Sequence, residues 1–160
     1  MTSIQVHLPG TNFAQMRRTS GQSSGASKLL RYFARPQLPL FESMKILEYF
    51  RDYRLESYVE GSFLLHGQFL EQQNPSFPRQ RVIRHSQASK NICYLQIISP
   101  RAGELFYLYS LLMYVLAKLF EQLRIVDSTV HPTFQDTAIA LGLFTDCSEA
   151  IQCLEEAKQL

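Results

Sequence analysis

The chain has 160 residues, 46% of them hydrophobic, and a formal net charge of +2. That is enough apolar material for one domain with a core, because a chain of roughly 150 residues buries about 68–70% of its unfolded surface. Three cysteines, an odd number, with no secretory apolar stretch at the start, argue against a disulfide-stapled secreted domain and for unpaired thiols in a reducing compartment.

In chain order, residues 10–28 are rich in Ser, Thr and Gly and poor in apolar residues, which predicts a flexible loop or arm. Its Arg and Ser content without acids also fits a mitochondrial transit peptide, but no sustained amphipathic helix precedes Gly21. Pro36 and Pro39 separate Leu29–Ala34 from the next element. Residues 42–56 predict an amphipathic helix, with Ile46, Tyr49, Phe50 and Tyr53 recurring at three and four and with Glu42–Lys45 and Glu48–Arg51 pairs beside them. Residues 81–85 and 92–98, β-branched and bounded by polar residues, predict two strands of a small antiparallel ribbon. The run Leu105–Phe120 opens with 13 uncharged residues, Leu105 to Ala117. A membrane span needs about 20, so a helix buried on most sides is expected and no membrane partner. Thr133 with Asp136, and Asp146 with Glu149, are helix starts, and Gly142 is a helix stop between them. The helices Phe134–Leu141 and Cys147–Lys158 have the outline of a helix-turn-helix. Glu149, Glu155 and Glu156 on the second would repel phosphate, so the pair is expected to pack rather than read DNA.

The small net charge hides an asymmetry. Residues 1–101 carry 13 Lys and Arg against 6 Asp and Glu, a balance of +7, whereas residues 102–160 carry 3 against 8, a balance of −5. Residues 1–41 contain no acid, with Arg17, Arg18, Lys28, Arg31 and Arg35, and neither do residues 72–103, with Arg79, Arg81, Arg84, Lys90 and Arg101. Such segments fit a polyanion, and their aromatic neighbours Tyr32, Phe33, Phe77 and Tyr94 are of a kind that stacks on unpaired bases. They equally fit solvated loops with ordinary surface charge. Arg79, Arg81, Arg84 and Lys90 are the candidate nucleic-acid contacts.

Catalytic patterns are missing. The passage nearest a phosphate-binding loop, Gly21 to Lys28, has the wrong spacing and continues with Leu29 where a magnesium-binding hydroxyl is needed. His7, His66, His85 and His131 are isolated, with no metal-ligand spacing. No catalytic residue, cofactor or metal is therefore assigned to this chain.

Three blocks succeed one another in the second half: Gly103-Glu104-Leu105-Phe106-Tyr107-Leu108, then Phe120-Glu121-Gln122-Leu123-Arg124, then Pro132-Thr133-Phe134-Gln135-Asp136 running to Ala140-Leu141-Gly142-Leu143. This order resembles the segment of the Helitron transposon replicase-helicase just upstream of its Pif-type ATP-dependent DNA helicase domain. There a G-E-x-F-Y-L-R helix precedes F-E-D-L-R and Y-P-T-F-x-E-A helices. Upstream, Val6-His7-Leu8-Pro9 resembles the family's V-H-L-P strand, Ser27 to Phe33 its S-K-L-x-x-Y-F element, and Leu47 to Phe50 its Tyr/Phe-rich helix. Tyr109, Ile125, Ser128 and His131 stand where the family has Arg, Thr, Gly and Tyr, the mark of a diverged or decaying copy. Ser128 leaves a presumed tight turn without the residue that tolerates positive φ.

The expected fold is α+β, mainly α: helices with a small antiparallel β ribbon, a basic and partly flexible segment over 1–41 and a helical connector over 42–160, within a larger multidomain protein. The resemblance implies a non-catalytic connector of an ATP-dependent DNA helicase in a nucleus. Its partners would be single-stranded DNA and the parent's helicase domain, and ATP and Mg would belong to that domain alone. The competing expectation is a stand-alone protein-interaction module, or a remnant without function, derived from a transposon.

Overall fold

The computed structural model describes residues 1–10, 27–57, 70–71, 80–86 and 90–144. Within them the chain is α+β and mainly helical. Strand β1, Thr2–Ile4, comes first. Helix α1, Lys28–Phe33, starts where the Ser27 hydroxyl accepts the Leu30 amide at 3.2 Å, and it ends ahead of Pro36. Pro39 opens the short helix α2, Pro39–Glu42, at a position whose amide would have no helical partner anyway. Helix α3, Ile46–Asp52, starts with the Lys45 amide donating to the Glu48 carboxylate at 2.9 Å.

The expected helix over 42–56 is thus cut at both ends. Tyr53 fits the helical spacing but begins strand β2, Tyr53–Ser57, because this stretch pairs antiparallel with β4, Gln80–Arg84. A partner distant in sequence decides the conformation, which local periodicity cannot reveal. Strand β3, Leu70–Glu71, flanks β4 on its other side. The expected charge pairs also differ. Glu42 pairs with Lys118 at 2.8 Å, and Arg51 pairs with Asp52 at 2.6 Å.

Strand β5, Cys93–Leu95, does not join β4 in a ribbon. It pairs in parallel with β1, Thr2 opposite Cys93 and Ile4 opposite Leu95. The strand expected at Val6–Pro9 is displaced to Thr2–Ile4, with Val6 and His7 buried just beyond it.

A 3-10 turn over Pro100–Ala102 leads to Gly103, whose φ of 61° lies in the region only glycine enters freely. Helix α4, Glu104–Tyr114, comes next and places Leu108 and Leu111 fully inside. It stops short of Phe120 because the chain turns extended at Val115 and carries Ala117 back to α1 and α2. A second 3-10 turn, Gln122–Arg124, precedes a hairpin of β6, Ile125–Val126, and β7, Thr129–Val130. Asp127 and Ser128 at its tip have φ of 47° and 67°, the mirror-image two-residue turn that favours Gly at the second position. The steric cost expected at Ser128 is real. Helix α5, Phe134–Ala140, starts at the Thr133 cap and ends before Gly142, as the sequence predicts.

The core is rich in aromatic rings. Tyr32, Phe41, Tyr49, Phe50 and Tyr53 meet edge to face or stacked, with Phe41–Tyr53 centroids 5.0 Å apart and Tyr49–Phe50 centroids 5.1 Å apart. Residues on both sides of position 41, from Ile4 to Ala138, share this core. No helix among the described residues is long and apolar enough to cross a membrane. The second expected helix, Cys147–Lys158, lies outside the described residues.

Candidate nucleic-acid interface

The four candidate cations do not form one patch. Arg79 lies outside the described residues. Arg81 and Arg84 lie on β4, and because successive strand residues alternate faces, a separation of three sends them to opposite sides. Arg81 is half-buried and stands in register opposite Glu56 of β2 and Glu71 of β3. The acidic Glu56 directly across the strand weakens its claim to phosphate. Arg84 and Lys90 are exposed and form no ion pair among the described residues.

Lys90 sits beside a fixed point. The Asn91 side-chain amide donates to the carbonyls of Phe50 at 3.1 Å and Arg51 at 3.2 Å, and it lies 3.2 Å from His85 Nε2. The two amide hydrogens serve the two carbonyls, and the third neighbour in this cluster is the His85 imidazole. Burial, then the charge of Arg54, lowers its pKa. Asn91 thus ties the start of β5 to the end of α3, a role without a local sequence signal.

The first acid-free segment behaves differently from the expectation of a polyanion-facing arm. Arg17 and Arg18 lie outside the described residues, while Arg31 and Arg35 are each only 3% exposed. Arg35 is built into the interior. Its guanidinium donates to the carbonyls of Phe41 at 2.8 Å, Tyr32 at 3.1 Å and Ala117 at 2.8 Å and lies 4.2 Å from the centre of the Tyr32 ring. It satisfies carbonyls where α1, α2 and the end of α4 converge, and desolvation lowers its pKa without discharging it. Tyr32 and Phe33 are buried core, not base platforms, and Phe77 lies outside the described residues. Lys28 is half-buried and donates to the Ser3 carbonyl at 2.6 Å. Tyr94, 45% exposed, is the one of these four aromatics that faces out among the described residues.

Sequence blocks far apart meet. His7 Nε2 is 2.7 Å from the Ser27 hydroxyl, with Nδ1 3.1 Å from the Leu8 carbonyl, so a neutral imidazole donates at Nδ1 and accepts the hydroxyl proton at Nε2. Burial lowers the His7 pKa, opposed by the Leu8 bond. Phe33 and Phe120 rings pack edge to face at 5.0 Å. The Glu104 carboxylate accepts the amides of Phe134 at 2.8 Å and Gln135 at 3.2 Å, capping α5 from the first turn of α4. The Arg124 guanidinium donates to the Pro132 carbonyl at 3.2 Å, and the His131 amide donates to the Arg124 carbonyl at 2.7 Å.

Among the described residues no group of three or more His, Cys, Asp or Glu side chains is placed to hold a metal ion. No protein-family model matches the chain, and no curated protein matches it in sequence.

Proposed function

We propose that this chain is a non-catalytic connector of a Helitron-like ATP-dependent DNA helicase, one that supports single-stranded DNA binding and unwinding by a parent protein in the nucleus. One observation supports this above the rest: the short blocks that carry the resemblance touch one another. His7 of the first block meets Ser27 of the second, Phe33 meets Phe120, Glu104 caps the helix that begins at Phe134, and Arg124 holds the carbonyl of Pro132. Residues that interlock in this way build a scaffold. Their chemistry is capping and packing, which suits a segment that positions a neighbouring motor and has no turnover of its own.

The exposed cations Arg84 and Lys90 supply the DNA-facing part, with Arg79 and Arg81 as further members of the set. Binding of oligo(dT), followed by fluorescence anisotropy over a salt series, tests it. Each phosphate neutralised on a single strand contributes a slope of about −0.7 in log K against log salt. Replacing Arg79, Arg81, Arg84 and Lys90 together by Ala lowers affinity and flattens the slope. Equal loss with an unchanged slope overturns the DNA-contact assignment.

A stand-alone interaction module is the second reading, and a different observation favours it. Leu40, Tyr114, Leu116 and Leu119 are exposed where the Glu42–Lys118 pair joins α2 to the chain beyond α4. Sequencing the transcript past the codon for Leu160 separates the two. A continuous frame reaching a G-K-[ST] loop supports the connector, and a stop codon there supports the module.

A further inference from the structure

The two acid-free stretches of the sequence pair with each other. β1 comes from residues 1–41 and β5 from residues 72–103, and they form a two-stranded parallel sheet. Parallel sheets occur almost only with both faces covered. Here the inner face is covered, since Ile4 and its register partner Leu95 are buried. Among the described residues the outer face is open: Ser3 and its register partner Tyr94 are both exposed, and the period of two puts Ile92, 56% exposed, beside Tyr94 on that face. Lys90 is exposed two residues before Ile92, and Lys28 reaches the sheet through its bond to the Ser3 carbonyl.

We propose that this outer face is a stacking platform for single-stranded DNA, with Tyr94 under a base, Ile92 beside it and Lys90 on the neighbouring phosphate. The inference rests on the DNA-binding role proposed above and gives it an address on the fold. A parallel sheet left open on one face calls for an occupant. The occupant has to offer flat apolar surfaces to Tyr94 and Ile92 and negative charge to strands whose parent segments hold no acid over 1–41 and 72–103. A single strand has both at the repeat of one nucleotide, whereas in a duplex the base faces are stacked away. Tyr94 has no core role to compete with this one, since it is exposed while its chain neighbours, half-buried Cys93 and buried Leu95, turn to the opposite face.

Stacking and charge neutralisation leave different signatures, which makes the assignment testable on the whole 160-residue chain. Anisotropy of labelled oligo(dT) is measured over a salt series for the unaltered protein, Tyr94→Ala, Tyr94→Phe and Lys90→Ala. Tyr94→Ala weakens binding roughly 5- to 150-fold, the range for losing one base–aromatic stack, with the salt slope unchanged. Tyr94→Phe retains affinity, and Lys90→Ala reduces the slope by about 0.7. An abasic oligomer of the same length binds the unaltered protein and Tyr94→Ala alike. If the protein binds oligo(dT) and Tyr94→Ala binds it equally well, the platform is overturned while DNA binding stands. If the unaltered protein does not bind oligo(dT), the DNA-binding role itself falls, and a protein partner is the remaining occupant for the face.

Discussion

Single side chains show how a charge count misleads. Arg31 and Arg35 contribute to the basic balance of the first hundred residues, yet both are buried, and Arg35 gathers three carbonyls beneath an aromatic ring. Nothing local distinguishes it from an exposed arginine, because the partners at Phe41 and Ala117 are brought to it by tertiary folding. Ser128 is the opposite case. Its conflict with a tight turn is visible in the sequence, and its φ of 67° bears that out. Ser128→Gly is therefore expected to raise stability by about 1 kcal/mol, the approximate cost of a left-handed conformation for a residue with a Cβ, read as a higher urea midpoint with unchanged m. His7 gives a pH dependence of definite sign. Burial lowers its folded pKa below the unfolded value of 6.5, so the unfolded chain protonates first on acidification. The contribution is complete above 6.5, is lost as pH falls from there through the folded pKa, and then levels off. Urea midpoints measured between about pH 7 and pH 5 should fall, and His7→Gln should reduce the drop.

At the level of elements, the boundaries set by punctuating residues were legible. Pro36, Pro39, Thr133 and Gly142 stand at the ends of α1, α2 and α5 by chemistry that acts within a few residues. Pairings that depend on a distant partner were not. The stretch after Asp52 satisfies helical and strand spacing alike until β4 lies beside it, and β5 chooses β1 over its neighbour in sequence. Glu104 links α4 to α5 directly, since its carboxylate meets two amides at the positive end of α5. Glu104→Gln removes the charge and keeps the shape. It is expected to cost about 1 kcal/mol and to speed hydrogen exchange in α5 before that in α4. Equal acceleration in both helices would mean the cap is not what secures α5.

For the whole molecule, the candidate site was legible as composition but not as a surface. The acid-free segments were visible in the sequence. Their division into buried arginines and an exposed sheet face depends on the fold, and strand alternation separates Arg81 from Arg84. A second exposed feature is apolar: Leu40 at 53%, Tyr114 at 63% and Leu119 at 55%. With that much exposed apolar surface near one junction, the isolated chain should associate as its concentration rises. Light scattering checks this: Leu40→Glu with Leu119→Glu should return a constant monomer mass, and a concentration-independent monomer in the unaltered chain would refute it.

The pairing of β1 with β5 also has a consequence in time. When Thr2 leaves the ribosome, its partner Cys93 does not yet exist. At about 5–20 residues per second the first strand waits roughly 5 to 20 seconds for a mate. During that interval Ile4, destined for the interior, lacks the cover of its register partner Leu95. The recovered yield of this protein should then track the speed and temperature of translation more closely than the equilibrium stability of the finished molecule, with slower synthesis prolonging the exposure.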